Sequence, residues 1–269
     1  MSVVLYEKKD KIAKITLNRP ESRNAINHAV VLRLGEVLDE AANDDDVYVV
    51  IISGAGDKAF SAGFDIKESI VNPIVDVPAR RSDSNLELGT WMKIWKMPKP
   101  VIASVQGYCI GGGLHLAFMC DLLLAAQDAK FGEPEIAFSY IGNIVIEPWK
   151  MPFNKVRELL YLGEFLSAEE LHRIGTVNRL FPAEDLEAET MKVARRLAGM
   201  PRETMAMLKT QLNKTYEIKG FHNAMEYSAE MFNLCRINQV QQEADFNKIV
   251  VERGLMEAIK WKESQMGDK

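Results

Sequence analysis

The sequence predicts a layered α/β core followed by an all-helical C-terminal third, and three observations predict it. Short apolar runs at residues 47–53, Val101–Val105 and Leu122–Ala126 read as buried strands. Each ends at a glycine-bearing turn, and a helix following such a turn packs back over its strand. From Arg202 onward only amphipathic helical patterning remains. Helices of that kind need a surface to bury against, which points to an oligomer.

Residues 3–8 and 12–18 alternate in polarity and read as a hairpin around Lys9-Asp10. Residues 19–22 form a loop. Asn27 is placed to cap a helix over 28–42, whose apolar stripe is Val30, Val31, Leu34, Val37, Leu38 and Ala41. After the first glycine turn, 66–70 starts a short helix. Residues 72–83 carry two prolines and no clean period, so they read as a loop. Residues 86–95 are helical, and Pro98 and Pro100 end that helix. Gly112–Met119 is helix and Lys130–Gly132 a turn. Further helices are expected over 155–163, 168–174 and 183–198.

Composition narrows the function class. The 269 residues are 47% hydrophobic and 26% charged, with a net charge of −5. That balance argues against broad electrostatic binding to nucleic acid or an anionic membrane. The three cysteines, Cys109, Cys120 and Cys235, are scattered and suit a reducing, cytoplasmic setting. No secretory signal or membrane span is legible. No metal-ligand spacing and no nicotinamide or flavin fingerprint is present.

The chemistry concentrates in two turns, Ser61-Ala62-Gly63-Phe64-Asp65 and Ile110-Gly111-Gly112-Gly113. A peptide N–H between the end of a strand and the start of a helix is a free donor. Two such donors aimed at one point make an oxyanion hole. The triple glycine lacks GxGxxG spacing and no GK[ST] follows it, so it is neither a dinucleotide nor a phosphate loop. Taken alone, it reads equally well as tight strand–helix packing.

In order along the chain stand Asn18-Arg19-Pro20, Arg23-Asn24-Ala25, Phe60-Ser61-Ala62-Gly63-Phe64-Asp65-Ile66-Lys67, Lys99-Pro100-Val101-Ile102-Ala103, Gly111-Gly112-Gly113, Cys120-Asp121, Lys130-Phe131-Gly132 and Pro134-Glu135. This series resembles the crotonase, or enoyl-CoA hydratase/isomerase, superfamily over about residues 3–198. The resemblance implies a spiral of ββα units over 1–200 and a helical trimerisation region over 201–269. It also implies an acyl-CoA thioester substrate and a homotrimer or dimer of trimers. No cofactor is expected beyond the coenzyme A of the substrate.

By motif position, the resemblance puts the oxyanion donors at Phe64 and Gly112 and the catalytic carboxylate at Glu135. Hydratases of the family carry a first glutamate three residues past the matching glycine, and here that position is His115. On an apolar helix His115 reads as a core histidine; at this motif position it reads as a pocket residue. Near a helix N-terminus the dipole favours neutral imidazole, which can take a proton or position water. Glu133 and Glu135 by themselves would pass for solvated loop charges. Asn143 stands where some relatives place an aspartate, which disfavours dienoyl isomerisation and dehalogenation. Glu147 either lines the pocket or starts a helix. Trp149, Met151 and Phe153 suggest one pocket wall; Trp91 and Trp95 could stand opposite, though core packing suits them better. The resemblance assigns coenzyme A to Arg23, Ala25, Ala62, Asp65, Ile66 and Lys67, the lysine meeting a phosphate. The family often adds a C-terminal basic residue from a neighbouring subunit, with which Lys260, Lys262 and Lys269 do not clearly align.

Three functions fit: an enolate-forming lyase or isomerase, a crotonase-fold hydrolase or decarboxylase, and a non-catalytic CoA- or RNA-binding member. The intact turns and Glu135 favour the first.

Overall fold

The computed structural model describes residues 2–74, 76–238 and 241–265. Parts of the expected helical region, 239–240 and 266–269 with Lys269, lie outside the described residues.

The first sheet has six strands in the order β1-β2-β3-β5-β7-β10: Val4–Lys9, Ile12–Leu17, Val49–Gly54, Val101–Val105, Leu122–Ala126 and Arg179–Phe181. β1 and β2 pair antiparallel through a turn in which Asp10 and Lys11 both have positive φ, 53° and 66°. Two such residues give the twist that a two-residue hairpin requires. The other pairings are parallel. Covered on both faces, β3, β5 and β7 are nearly continuous apolar runs, which is why they are legible without alternation.

The second sheet is β4-β6-β8-β9: Ala59–Ser61, Tyr108–Ile110, Lys130–Gly132 and Leu166–Ser167. The expected turn at Lys130–Gly132 is therefore a strand, paired parallel to β6. Three strands run in the first sheet, then cross to the second, then pass to a helix or helical turn. The expected spiral of ββα units is this repeat.

Helix α1, His28–Asn43, is capped by Asn27, whose Oδ1 accepts the Val30 N–H at 3.0 Å. It buries the expected stripe together with Gly35. Helix α2 is Ile66–Val71. The loop expected over 72–83 is corrected: helix α3 spans Val77–Lys96. Asp76 caps it, accepting the Ala79 N–H at 2.9 Å, and Pro78 sits in the first turn, where its missing N–H costs nothing. Polar Arg80, Ser84 and Thr90 are buried beside Trp91, Met92, Ile94 and Trp95, which breaks the apolar period.

Helix α4 is Gly112–Met119, buried throughout. Helices α5 (Phe153–Leu162), α6 (Ala168–Arg173) and α7 (Leu186–Ala198) follow near their expected positions. Helix α8, Arg202–Ile218, is pinned by Lys209, whose Nζ donates to the carbonyls of Ile94 and Lys99 and to Asp121 Oδ2 at 2.7 Å. Helix α9, Phe221–Ile237, packs on α3, where Ser84 Oγ donates to Asn233 Oδ1 at 2.6 Å. Helices α10 (Gln241–Arg253) and α11 (Leu255–Gln265) form a small second core. There Phe246, Val250 and Ala258 close over Ile66, Ile70 and Phe138. The tail thus covers both α2 and the segment that carries Glu135.

Candidate active site

The two glycine turns meet. A Cβ on Gly63 would stand 2.9 Å from Ile110 O and 3.5 Å from Gly112 N. Ile26 N–H donates to Gly63 O at 2.8 Å and Asp65 N–H to Ile26 O at 2.9 Å. Neighbouring amides of an extended segment face opposite sides, so the Phe64 N–H points away from Ile26. Gly112 opens α4, and its N–H has no acceptor within the helix. Gly111 caps α4 at φ 51° and ψ −123°, a region reserved for glycine.

Glu135 lies in a 3-10 turn, Pro134–Phe138, that follows β8. The Gly111 N–H donates to Gly132 O at 3.0 Å, which sets this turn beside the triple glycine. A Cβ on Gly111 would lie 2.0 Å from Glu135 Oε1. Glu135 keeps part of its surface open, while its Oε2 is enclosed with no hydrogen-bond partner among the described residues. Burial, reinforced by the Glu133 charge, pushes its carboxyl well above the usual carboxylate range. The carboxyl group lies against the turn that opens into Gly112.

His115 occupies the second turn of that region with a partner set the sequence did not reveal. Its Nε2 is 3.3 Å from Glu133 Oε1 and 3.3 Å from Glu147 Oε1. Burial alone would push the imidazole pKa down, but Glu133 and Glu147 together raise it well above its ordinary value. The expectation of a neutral His115 is corrected on that ground: two carboxylates outweigh the helix dipole. Burial raises the Glu133 carboxyl in spite of His115. Glu133 is only 2% exposed, so it is no solvated loop charge. Glu147, in a 3-10 turn Glu147–Trp149, is buried and faces the same cluster. Where no metal-ligand spacing was legible, the fold gathers one His and two Glu within 4.8 Å.

Asn143 is buried and donates from Nδ2 to Glu87 Oε2 at 2.6 Å. Burial, with Asp83 adding to it, lifts Glu87 to about 8. Glu87 and Glu133 are the residues that sequence reasoning missed. Glu87 looks like the polar face of α3, and only its neighbourhood of buried polar residues marks it.

The residues expected at coenzyme A fall on one ribbon. Ala62 N–H donates to Arg23 O, and Arg19 Nη1 bonds Ala25 O at 2.6 Å and pairs with Asp65 at 3.0 Å. Asp65 caps α2, which starts with Ile66 and exposed Lys67. Beside Lys67 opens a cavity of about 320 Å³ lined by Ile70, Val71, Val250, Val251 and Gly254. Trp91 backs Phe64, with ring centroids 6.0 Å apart and planes at 22°, and is fully buried in the core rather than set as a wall. Trp149 packs edge-on against Tyr216 and Phe221, at 5.6 and 5.3 Å, instead of facing Trp91 across a pocket.

Comparison with known proteins decides the family. The family model described as Enoyl-CoA hydratase/isomerase matches residues 7–251. This chain belongs to that family. It is 35% identical over 230 residues to a probable mitochondrial enoyl-CoA hydratase of Dictyostelium discoideum, covering 84% of this chain and 80% of that one. It is 33% identical to the crotonyl-CoA hydratase of Syntrophomonas wolfei, covering 89% of this chain and 92% of that one. A crystal structure of an enoyl-CoA hydratase/isomerase from Xanthobacter autotrophicus Py2 superposes with a TM-score of 0.96 at 33% identity, covering 99% of each chain. The protein is thus an acyl-CoA enzyme of the enoyl-CoA hydratase/isomerase family with the crotonase fold. Among the described residues, no helix is long and apolar enough to cross a membrane.

Proposed function

We propose that this family member adds water to, or removes it from, an enoyl-CoA thioester through an enolate. The amides of Phe64 and Gly112 hold the thioester oxygen, and Glu135 gives the proton to the α-carbon and takes it back in reverse. Glu135, pressed against Gly111 with its carboxyl pushed above the usual carboxylate range, carries this reading. A carboxyl raised toward neutrality is suited to such transfer. His115, at the motif position of the hydratases' first glutamate, takes over the water together with Glu133 and Glu147. Relatives that are enoyl-CoA and crotonyl-CoA hydratases by name support hydration. Coenzyme A lies along the Arg23 to Lys67 ribbon.

Isomerisation is the second reading, favoured by one observation. An imidazole held protonated by two carboxylates is no base for water, whereas Glu135 alone can shuttle a proton between two carbons. Turnover of crotonyl-CoA and a 3-enoyl-CoA in heavy-oxygen water separates them. Labelled oxygen in the product supports hydration. A shifted double bond without label replaces it with isomerisation, and free CoA or lost carbon dioxide overturns both.

Exposed Met207, Leu212 and Ile218 on α8, 71%, 56% and 78% accessible, support self-association of the C-terminal helices as a homotrimer or dimer of trimers. Light scattering on the purified chain reads that mass. Three free cysteines, two of them buried, support a cytoplasmic setting.

A further inference from the structure

The proton transfer at Glu135 and the two amides leaves a second set of groups unused. His115, Glu133 and Glu147 are 1%, 2% and 1% exposed. Both ring nitrogens and all four carboxylate oxygens lack a well-formed hydrogen bond among the described residues, although the Glu135 carboxyl also reaches Glu133. The two 3.3 Å contacts are longer than the roughly 2.7–2.9 Å of a charge-assisted bond. One Nε2–H cannot aim at both carboxylates. A proton on His115 therefore leaves most of these acceptors bare, and buried acceptors without donors are rare and costly.

We infer that His115 Nε2, Glu133 and Glu147 form a binding site for one divalent transition-metal ion of the zinc class, which displaces the imidazole proton as it binds. One nitrogen and two carboxylates suit such an ion, and two negative charges neutralise it. Nε2 and either carboxylate oxygen, 3.3 Å apart and each about 2.1 Å from a metal, would subtend roughly 104° there, and all three ligand atoms lie within 4.8 Å of one another. Gly142 is a separate sign. A Cβ at that position would stand 2.9 Å from Glu133 Oε1 and 3.1 Å from His115 Nε2, so the absent side chain keeps the donors' open side clear. Its φ is not in the left-handed region, so the backbone does not itself demand glycine. Three protein ligands leave a fourth position for water, as in catalytic zinc sites. The inference deepens the hydratase reading, because that water would sit where a first glutamate would otherwise hold one, and it rests on that reading only for this role.

The test uses untagged full-length protein, stripped with chelator and titrated with zinc chloride. Zinc content after desalting and the zinc-induced rise in Tm are the readouts, with no turnover involved. One zinc per chain is expected in the wild type. Glu147→Gln, and independently His115→Gln, should weaken it by more than the roughly 10–100-fold typical of a change one layer further out. Circular dichroism confirms that each variant is folded; if one is not, the other carries the comparison. Failure of the wild type to retain zinc, or equal retention by the folded variants, overturns the inference. Hydration by the stripped enzyme with no zinc bound would overturn the role of the metal in holding water while leaving the hydratase reading standing.

Discussion

The Phe64 ring lies across the Cα of Gly112: a Cβ there would stand 2.6 Å from Phe64 Cε2 and 2.8 Å from Cδ2. The two residues whose amides are assigned to the oxyanion thus touch directly. Trp91 stacks behind Phe64 and holds it from the other side. Neither amide can move without the other, which is the preorganisation that makes such donors effective.

Glu135→Gln keeps the shape of the carboxyl and removes its exchangeable proton. Turnover should fall by about 10²–10⁴-fold, the usual contribution of a general acid–base group. Coenzyme A binding, followed by calorimetry, should be unchanged. A near wild-type rate would take Glu135 out of the mechanism.

Gly111→Ala places a methyl group 2.0 Å from Glu135 Oε1, at a φ of 51°. The strained backbone alone costs on the order of 1–3 kcal/mol. Displacement of Glu135 and of the adjacent Gly112 amide should lower kcat by roughly 100-fold or more. Denaturant unfolding and steady-state kinetics read the two effects separately.

Glu87 sets a pH dependence whose sign is unusual for a carboxylate. Its folded-state pKa of about 8 lies above the ordinary 4.5, so the folded chain holds a proton that the unfolded chain has released. The associated stability is full below 4.5 and is lost as pH rises toward 8. Glu87 keeps some accessible surface, and water screens part of the effect. Glu87→Gln, which still accepts from Asn143, should match wild-type Tm near pH 4.5. At pH 8 it should exceed wild type by roughly 2–4 °C, about 1 kcal/mol in a chain of this size. Parallel Tm profiles would exclude Glu87 as the titrating group.

Lys209→Met tests the attachment of the C-terminal helices. The ammonium group satisfies two carbonyls and Asp121, which also accepts the Val101 N–H. Removing one partner of an enclosed ion pair costs about 3–5 kcal/mol. Urea unfolding should show a loss of that order; a change below about 0.5 kcal/mol would place Lys209 among ordinary surface residues.

The parallel strands were legible because burial on both faces writes them as unbroken apolar runs, and α1 because its stripe is regular and its cap is Asn27. The start of α3 was not, because Pro73 and Pro78 read as breakers, although a cap at Asp76 followed by an early proline is a start signal. Phe64, Gly112 and Glu135 could be placed because they sit in ordered motifs. Glu87, Glu133 and the role of Glu147 could not. A carboxylate in a sequence carries no mark of its burial, and His115 meets its two partners only through tertiary packing.

The enclosed cluster around His115 also restricts which sequences lie one step away. Replacing His115 by glutamate would restore the residue type that hydratases carry at this position, but it would bring three carboxylates into one dry space, each near another of like charge. Positions 115, 133 and 147 are therefore coupled through their charges. Their substitutions are non-additive, and exchange between the two versions of the site requires at least two simultaneous changes.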